Sequence, residues 1–138
     1  MLTKQNSPGV IDYQDAVCGP VSYDLVSLLK DCYIKWSENE VDEWVDTYIK
    51  GYNQQNPSSV LDPLQFRRWF DLMGVQRHLK ASGIFARLSL RDGKHGYLQD
   101  IPRTLSYIVE LESTYPELET LCRILNISVL PQLDRVLR

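Results

Sequence analysis

Apolar residues recur at three- and four-residue steps through Leu25, Val26, Leu29, Cys32, Tyr33 and Trp36. That spacing keeps one helical face apolar and predicts a first helix from just after Gly19-Pro20 to about Trp36. Ser37, with Glu40 three residues on, has the form of a capping box and opens a second helix. In that helix Val41, Trp44, Val45, Tyr48, Ile49 and Tyr52 make one unbroken stripe. Asn53 to Ser59 reads as a loop. Asp62, Pro63 and Gln65 then supply an N-cap, a proline at the first helical position and a capping partner. The third helix carries Phe66, Trp69, Phe70, Met73, Gln76 and Leu79, pauses near Gly83, and resumes over Ile84 to Leu90. Arg91 to Gly96 is a polar turn. Ile101, Leu105, Ile108, Val109 and Glu112 mark another helix, ended by Tyr115-Pro116, and Leu118, Leu121, Cys122 and Leu125 begin the next. Leu130, Leu133, Val136 and Leu137, around Pro131, form a short helix in the tail.

The first residues follow a different pattern. Gln5 to Gly9 is dense in turn formers and precedes Val10-Ile11-Asp12-Tyr13, a β-branched run of strand type. Met1 to Lys4 can pair with it across the turn, but an isolated hairpin is marginal. Further chain upstream is therefore expected. The pattern as a whole predicts a mainly α single domain over residues 1–138, with a short N-terminal β-hairpin in 1–17 and helices over 18–138.

Composition narrows the function classes. Fifteen Lys and Arg against eighteen Asp and Glu leave a formal charge of −3, and no basic run is present. A nucleic-acid partner is excluded on that ground, because phosphate neutralisation needs a basic stripe. With 43% hydrophobic residues, and only seven Gly and seven Pro, the chain has the means to build a core. No apolar run approaches the ~20 residues that cross a bilayer, so no membrane association is expected. Met1 to Pro8 lacks the apolar stretch of a secretion signal. Cys18, Cys32 and Cys122 are widely spaced, with neither a CxxC pair nor a histidine placed to complete a zinc site. A reduced, cytoplasmic setting follows.

Chemistry concentrates near the start. Asp12, Asp15 and Asp24 fall within thirteen residues. At a strand end a carboxylate is held rigidly yet faces a cleft, which suits a Mg²⁺ ligand bridging phosphate oxygens. The plainer use of such a residue is a turn or cap. Asp24 opens the first helix, where it serves either as an N-cap or as an acceptor for a neighbouring loop.

Ile11-Asp12-Tyr13-Gln14-Asp15-Ala16, followed by Gly19-Pro20-Val21-Ser22-Tyr23-Asp24-Leu25, resembles the second half of the aminoglycoside phosphotransferase and choline kinase superfamily. More narrowly, the chain is similar to the bacterial cell-wall amino-sugar kinases of that superfamily, which act on N-acetylmuramate and N-acetylglucosamine. Met73 to Lys80, Gly83 to Leu88, Gly96-Tyr97-Leu98 and Ile101-Pro102 share the likeness. The resemblance implies the carboxyl-terminal helical lobe of a protein-kinase-like fold, within a parent that moves the ATP γ-phosphoryl to a sugar hydroxyl. By the same resemblance Asp12 binds Mg²⁺ and Asp24 steadies the catalytic loop. Gln14 and Asp15 either support the metal position or point to solvent.

The family's catalytic loop, HxDxxxxN, and the lysine of its amino-terminal lobe are absent from the sequence. Neither His78 nor His95 sits in an HxD context. The resemblance therefore implies a part of a kinase with no catalytic residue of its own, inactive alone. It also places the acceptor against the helical lobe, where Asp31, Tyr33 and Trp36 suit hydrogen bonding and stacking on a sugar ring. Packing in the core is the competing use of Tyr33 and Trp36. Arg77, His78 and Arg87 are candidates to reach a cleft, and the competing use of the two arginines is as solvated or salt-bridged surface. A function of another class, a noncatalytic helical binding or scaffold module derived from such a kinase, uses the same helices without the chemistry. An uncovered strand edge at Val10 to Tyr13 points to pairing with a second copy as a homodimer.

Overall fold

The structure, a computed structural model, describes residues 17–137. The expected hairpin, including the strand at Val10 to Tyr13, lies outside the described residues, as do Asp12, Gln14 and Asp15. Among the described residues there is no strand, and the mainly α expectation holds.

Six α-helices follow one another: α1 (Tyr23–Leu29), α2 (Glu38–Gln55), α3 (Pro63–Asp92), α4 (Ile101–Val109), α5 (Glu119–Ile124) and α6 (Leu130–Leu137). Short 3₁₀ turns at His95–Asp100 and Pro116–Leu118 lead into α4 and α5, and a π turn at Leu125–Val129 joins α5 to α6. That π turn runs into Leu130-Pro131, where the missing proline N–H leaves the ladder without a bond.

The helix starts obey local rules. Ser37 accepts a hydrogen bond from the Glu40 N–H while the Glu40 carboxylate accepts from the Ser37 N–H, so the capping box is closed. These bonds hold the Glu40 carboxyl below its ordinary range. Asp62 accepts from the Gln65 N–H at 2.8 Å, with Pro63 as the first helical residue. At the far end of α3, Gly93 takes φ +65°, a left-handed cap that a side chain would strain.

Two expectations need correction. α3 does not pause at Gly83; it runs unbroken for 30 residues. Its buried face passes through Phe66, Phe70, Gly74, His78, Ser82, Phe85 and Ser89 at three- and four-residue steps. Gly83 is exposed and lies off that face, so the packed stripe outweighs its weak helix propensity. α1, in turn, ends at Leu29 and never reaches Trp36. The Asp31 carboxylate accepts from the N–H groups of Tyr33, at 2.6 Å, and Ile34, at 3.2 Å. This local turn diverts the backbone from the helical ladder.

α3 is the shared wall of two cores. Its first half packs Phe66 and Phe70 against Val26, Leu29, Val45, Ile49 and Leu61, joining α1 and α2. Its second half packs Val75 and Phe85 against Ile101, Leu105, Ile108, Cys122 and neighbours from α4 onward. The segment after α1 crosses the seam between these cores.

Candidate functional site

Residues 30–36 carry the three expected acceptor contacts and belong to no helix, so their carbonyls must find partners elsewhere. Side chains of α3 and α4 provide them. His78 Nε2 bonds the Lys30 carbonyl at 3.0 Å and Arg103 Nε donates to that of Cys32 at 3.1 Å. The Tyr107 hydroxyl reaches the carbonyls of Asp31, at 3.4 Å, and Ile34, at 3.2 Å. Arg103 is itself held by an ion pair with Asp100. His78 is 1% exposed and stacks on Tyr107, with centroids 4.6 Å apart and planes 11° from parallel. The expectation that His78 reaches a cleft is thereby corrected. None of Arg103, Tyr107 or this use of His78 was legible from spacing, because the bonds they make span 48 to 76 residues of chain.

A carbonyl only accepts, so Nε2 carries the proton of the neutral imidazole. Burial, with repulsion from Lys30 and Arg77, pushes the His78 pKa below its ordinary value, although the bond to the Lys30 carbonyl works the other way. The unfolded chain then binds this proton more readily than the folded one. Stability contributed by neutral His78 is fully present above the unfolded pKa of about 6.5 and is lost as pH falls below it. Thermal unfolding followed between pH 8 and pH 5 should show a falling midpoint, and His78→Gln, which keeps a donor but does not titrate, should flatten the slope.

The expected acceptor residues do not form one platform. Asp31 is half-buried, with its carboxylate turned onto its own backbone. Tyr33 is 54% exposed and leans on Phe85 of α3 at 6.1 Å, Phe85 being stacked on Tyr97. Trp36 is 38% exposed and meets Trp44 of α2 edge to face at 5.3 Å. Neither ring is core, and the two pack against different helices. Asp24 stands exposed in the first turn of α1, but Ser22 occupies the N-cap position and makes no side-chain cap bond. The Arg77 guanidinium lies 4.5 Å from the centroid of the Tyr23 ring, and Arg87 is exposed.

Trp36 borders a cavity of about 470 Å³ between α2, the first half of α3 and the chain after α4. Among its lining residues Asp71 accepts from Lys30 Nζ at 2.6 Å and from the Tyr115 hydroxyl at 2.7 Å. Burial and the bond to Asp71 push the Tyr115 hydroxyl pKa far up, so it stays protonated. Lys30 also lies 4.8 Å from the Phe70 centroid. At the rim Lys35 pairs with Glu110. A second, mostly apolar cavity of about 540 Å³ lies between Pro20 to Ser22 and Trp69, Met73 and Gln76 of α3. Among the described residues no group of three or more His, Cys, Asp or Glu is placed to hold a metal ion. No helix among them is long and apolar enough to cross a membrane.

Residues 1–66 match the phosphotransferase enzyme family. An N-acetylmuramate/N-acetylglucosamine kinase of Neisseria meningitidis serogroup B is 48% identical, the match covering 91% of this chain and 37% of the relative. Kinases of the same description from Pseudomonas putida and Pseudomonas aeruginosa are 44% and 45% identical over 88% and 96% of this chain, and 36% and 38% of theirs. The chain is related to the phosphotransferases. It spans a little more than a third of the length of these curated relatives. No solved structure gives a significant match. The phosphotransferase match contains α1 and α2, and with them Asp12, Asp24, Asp31, Tyr33 and Trp36. Asp71, His78, Arg103, Tyr107 and Tyr115 lie beyond it but within the stretch shared with the Pseudomonas aeruginosa kinase.

Proposed function

We propose that these residues form the helical lobe of an ATP-dependent kinase that phosphorylates a hydroxyl of an N-acetylated amino sugar. The carrying observation is the likeness to amino-sugar kinases over nine-tenths of the chain, with the phosphotransferase match falling on the acid-rich first segment. In this reading Asp12 holds the Mg²⁺ that neutralises the phosphate oxygens of ATP, and Gln14 and Asp15 support that position. Asp24 steadies the catalytic loop. The acceptor lies against the segment carrying Asp31, Tyr33 and Trp36, whose backbone His78, Arg103 and Tyr107 hold in place. The hydroxyl is oriented by a loop outside these residues, since no HxDxxxxN is present in them.

The test is a coupled ADP-release assay on a protein that joins this chain to an amino-terminal nucleotide lobe and its catalytic loop. ADP formation that depends on N-acetylglucosamine or N-acetylmuramate, and on Mg²⁺, is the expected result. ATP binding without sugar-dependent ADP would overturn it, and saturable sugar binding without any turnover would favour a binding module.

A further inference from the structure

We infer that Lys30 is a positioning residue for Asp24: it sets where α1 lies on α3, and α1 carries that placement to the acid at its other end. The inference rests on the kinase reading for what Asp24 does, and on the structure for how it is held.

α1 has only seven residues, and a helix that short has no stable position of its own in water. Its place must come from tertiary contacts. Val26 and Leu29 are its buried residues. Apolar burial is non-directional, so these two attach α1 to the core without fixing its direction. Near the start of the helix the polar contacts are weak. The Ser22 hydroxyl donates to the Trp69 carbonyl at 3.5 Å, a long bond, and the Tyr48 hydroxyl donates to the Val21 carbonyl at 3.2 Å. Arg77 packs on a Tyr23 ring that is 37% exposed.

The other end is held differently. The Lys30 N–H closes the last turn on the Val26 carbonyl, and the Lys30 carbonyl bonds His78 Nε2 at 3.0 Å. Its ammonium donates to Asp71 at 2.6 Å and lies over the Phe70 ring. Among the described ion pairs no other cation is so little exposed as this one, at 11%. Phe70, Asp71 and His78 all belong to α3, so one residue is tied to one helix at two points, by its backbone and by its charge. Directional bonds at two points fix an angle as well as a place. The stem between them crosses α3 at Gly74, where a Cβ would lie 3.2 Å from Lys30 Cδ. Glycine weakens a helix interior, yet α3 carries one where the stem passes.

Asp24 lies six residues before Lys30, about 9 Å along the axis at the usual rise. Two turns of hydrogen-bonded helix move as one body, so a tilt at Lys30 reappears at Asp24. Asp31 follows Lys30 directly, and its turn onto Tyr33 and Ile34 starts the segment assigned to the acceptor from the same fixed point.

In the two-lobed protein Lys30→Met, which keeps an unbranched stem and removes the ammonium, should lower kcat about tenfold, because a misplacement of about 1 Å at a supporting group is costly. The same change in an Asp24→Asn protein should cost less than about twofold, since the position it disturbs no longer carries the acid. A merely structural loss would be equal in both backgrounds. Gly74→Ala keeps every charge and displaces the stem by a few tenths of an ångström. It should show the same pattern at about threefold, and it carries the test if Lys30→Met folds poorly. On the ¹⁵N-labelled 138-residue chain both substitutions should shift the amide resonances of Tyr23 and Asp24 and leave those of Leu88 and Ser89, near the far end of α3, in place. Equal kcat losses in the two backgrounds, or unmoved Tyr23 and Asp24 amides, would overturn the inference. Shifted amides with no sugar-dependent ADP release from the two-lobed protein would remove the kinase reading and leave the placement of Asp24 by Lys30 standing. Sugar-dependent ADP release with unmoved amides would do the reverse.

Discussion

Asp12→Asn, in a protein that joins these residues to the nucleotide lobe, should lower turnover about a hundredfold or more. The substitution keeps the shape of the side chain and removes its charge, so a Mg²⁺ held by Asp12, as proposed, would lose an anionic ligand. If Asp31, Tyr33 and Trp36 hold the acceptor as proposed, the loss should fall on kcat, with the sugar KM little changed. Raising Mg²⁺ should recover part of the rate. Asp15→Asn is the comparison: if Asp15 points to solvent its turnover stays within threefold of the parent, and if it supports the metal position it falls toward Asp12→Asn. Steady-state kinetics at several Mg²⁺ concentrations decides the matter, and an Asp12→Asn protein within threefold of the parent would remove Asp12 from the metal site.

Asp71→Ala should destabilise the fold by about 3 kcal/mol. Asp71 is the meeting point of Lys30, just after α1, and Tyr115, beyond α4, so it ties the chain on both sides of the seam to α3. Removing it leaves an ammonium on a side chain only 11% exposed without its counter-charge. It also leaves the hydroxyl of the buried Tyr115 without its acceptor. Asp71→Asn, which keeps an acceptor oxygen, should cost less. Denaturant unfolding would measure both, with an unchanged slope expected for a loss confined to the native state. Should Asp71→Ala cost less than about 0.5 kcal/mol, the network would be no more than an exposed surface pair in effect.

His78 shows why part of the molecule was hidden from a linear reading. Its place in the third helix gave a candidate for a cleft, yet it is 1% exposed beneath the segment it bonds. The deep face of α3 also includes Gly74, Ser82 and Ser89, and a search for apolar periodicity passes over all of them. At Gly74 the Lys30 side chain approaches closely, and Ser89 makes a bond with His95.

The helix starts that the chain dictated through its own near neighbours were right. Ser37 with Glu40, and Asp62 with Pro63 and Gln65, start their helices as their spacing requires, since each cap closes within four residues and needs nothing from afar. The mainly α class and the phosphotransferase relation were equally legible, the first from periodicity and the second from the motif around Asp12 and Asp24. What depends on distant residues was not. The apolar steps through Cys32, Tyr33 and Trp36 satisfy a helix on paper, but one Asp31 turn and three side chains from α3 and α4 supply hydrogen bonds that no helix at that place would need. That competition turned Tyr33 and Trp36 out of the core and onto separate helices, and it set Trp36 beside a cavity lined by Asp71 and Tyr115, which are joined across 44 residues. Hydrogen bonds of that span have no signature in residue spacing, because only the closed tertiary structure brings donor and acceptor within about 3 Å of each other.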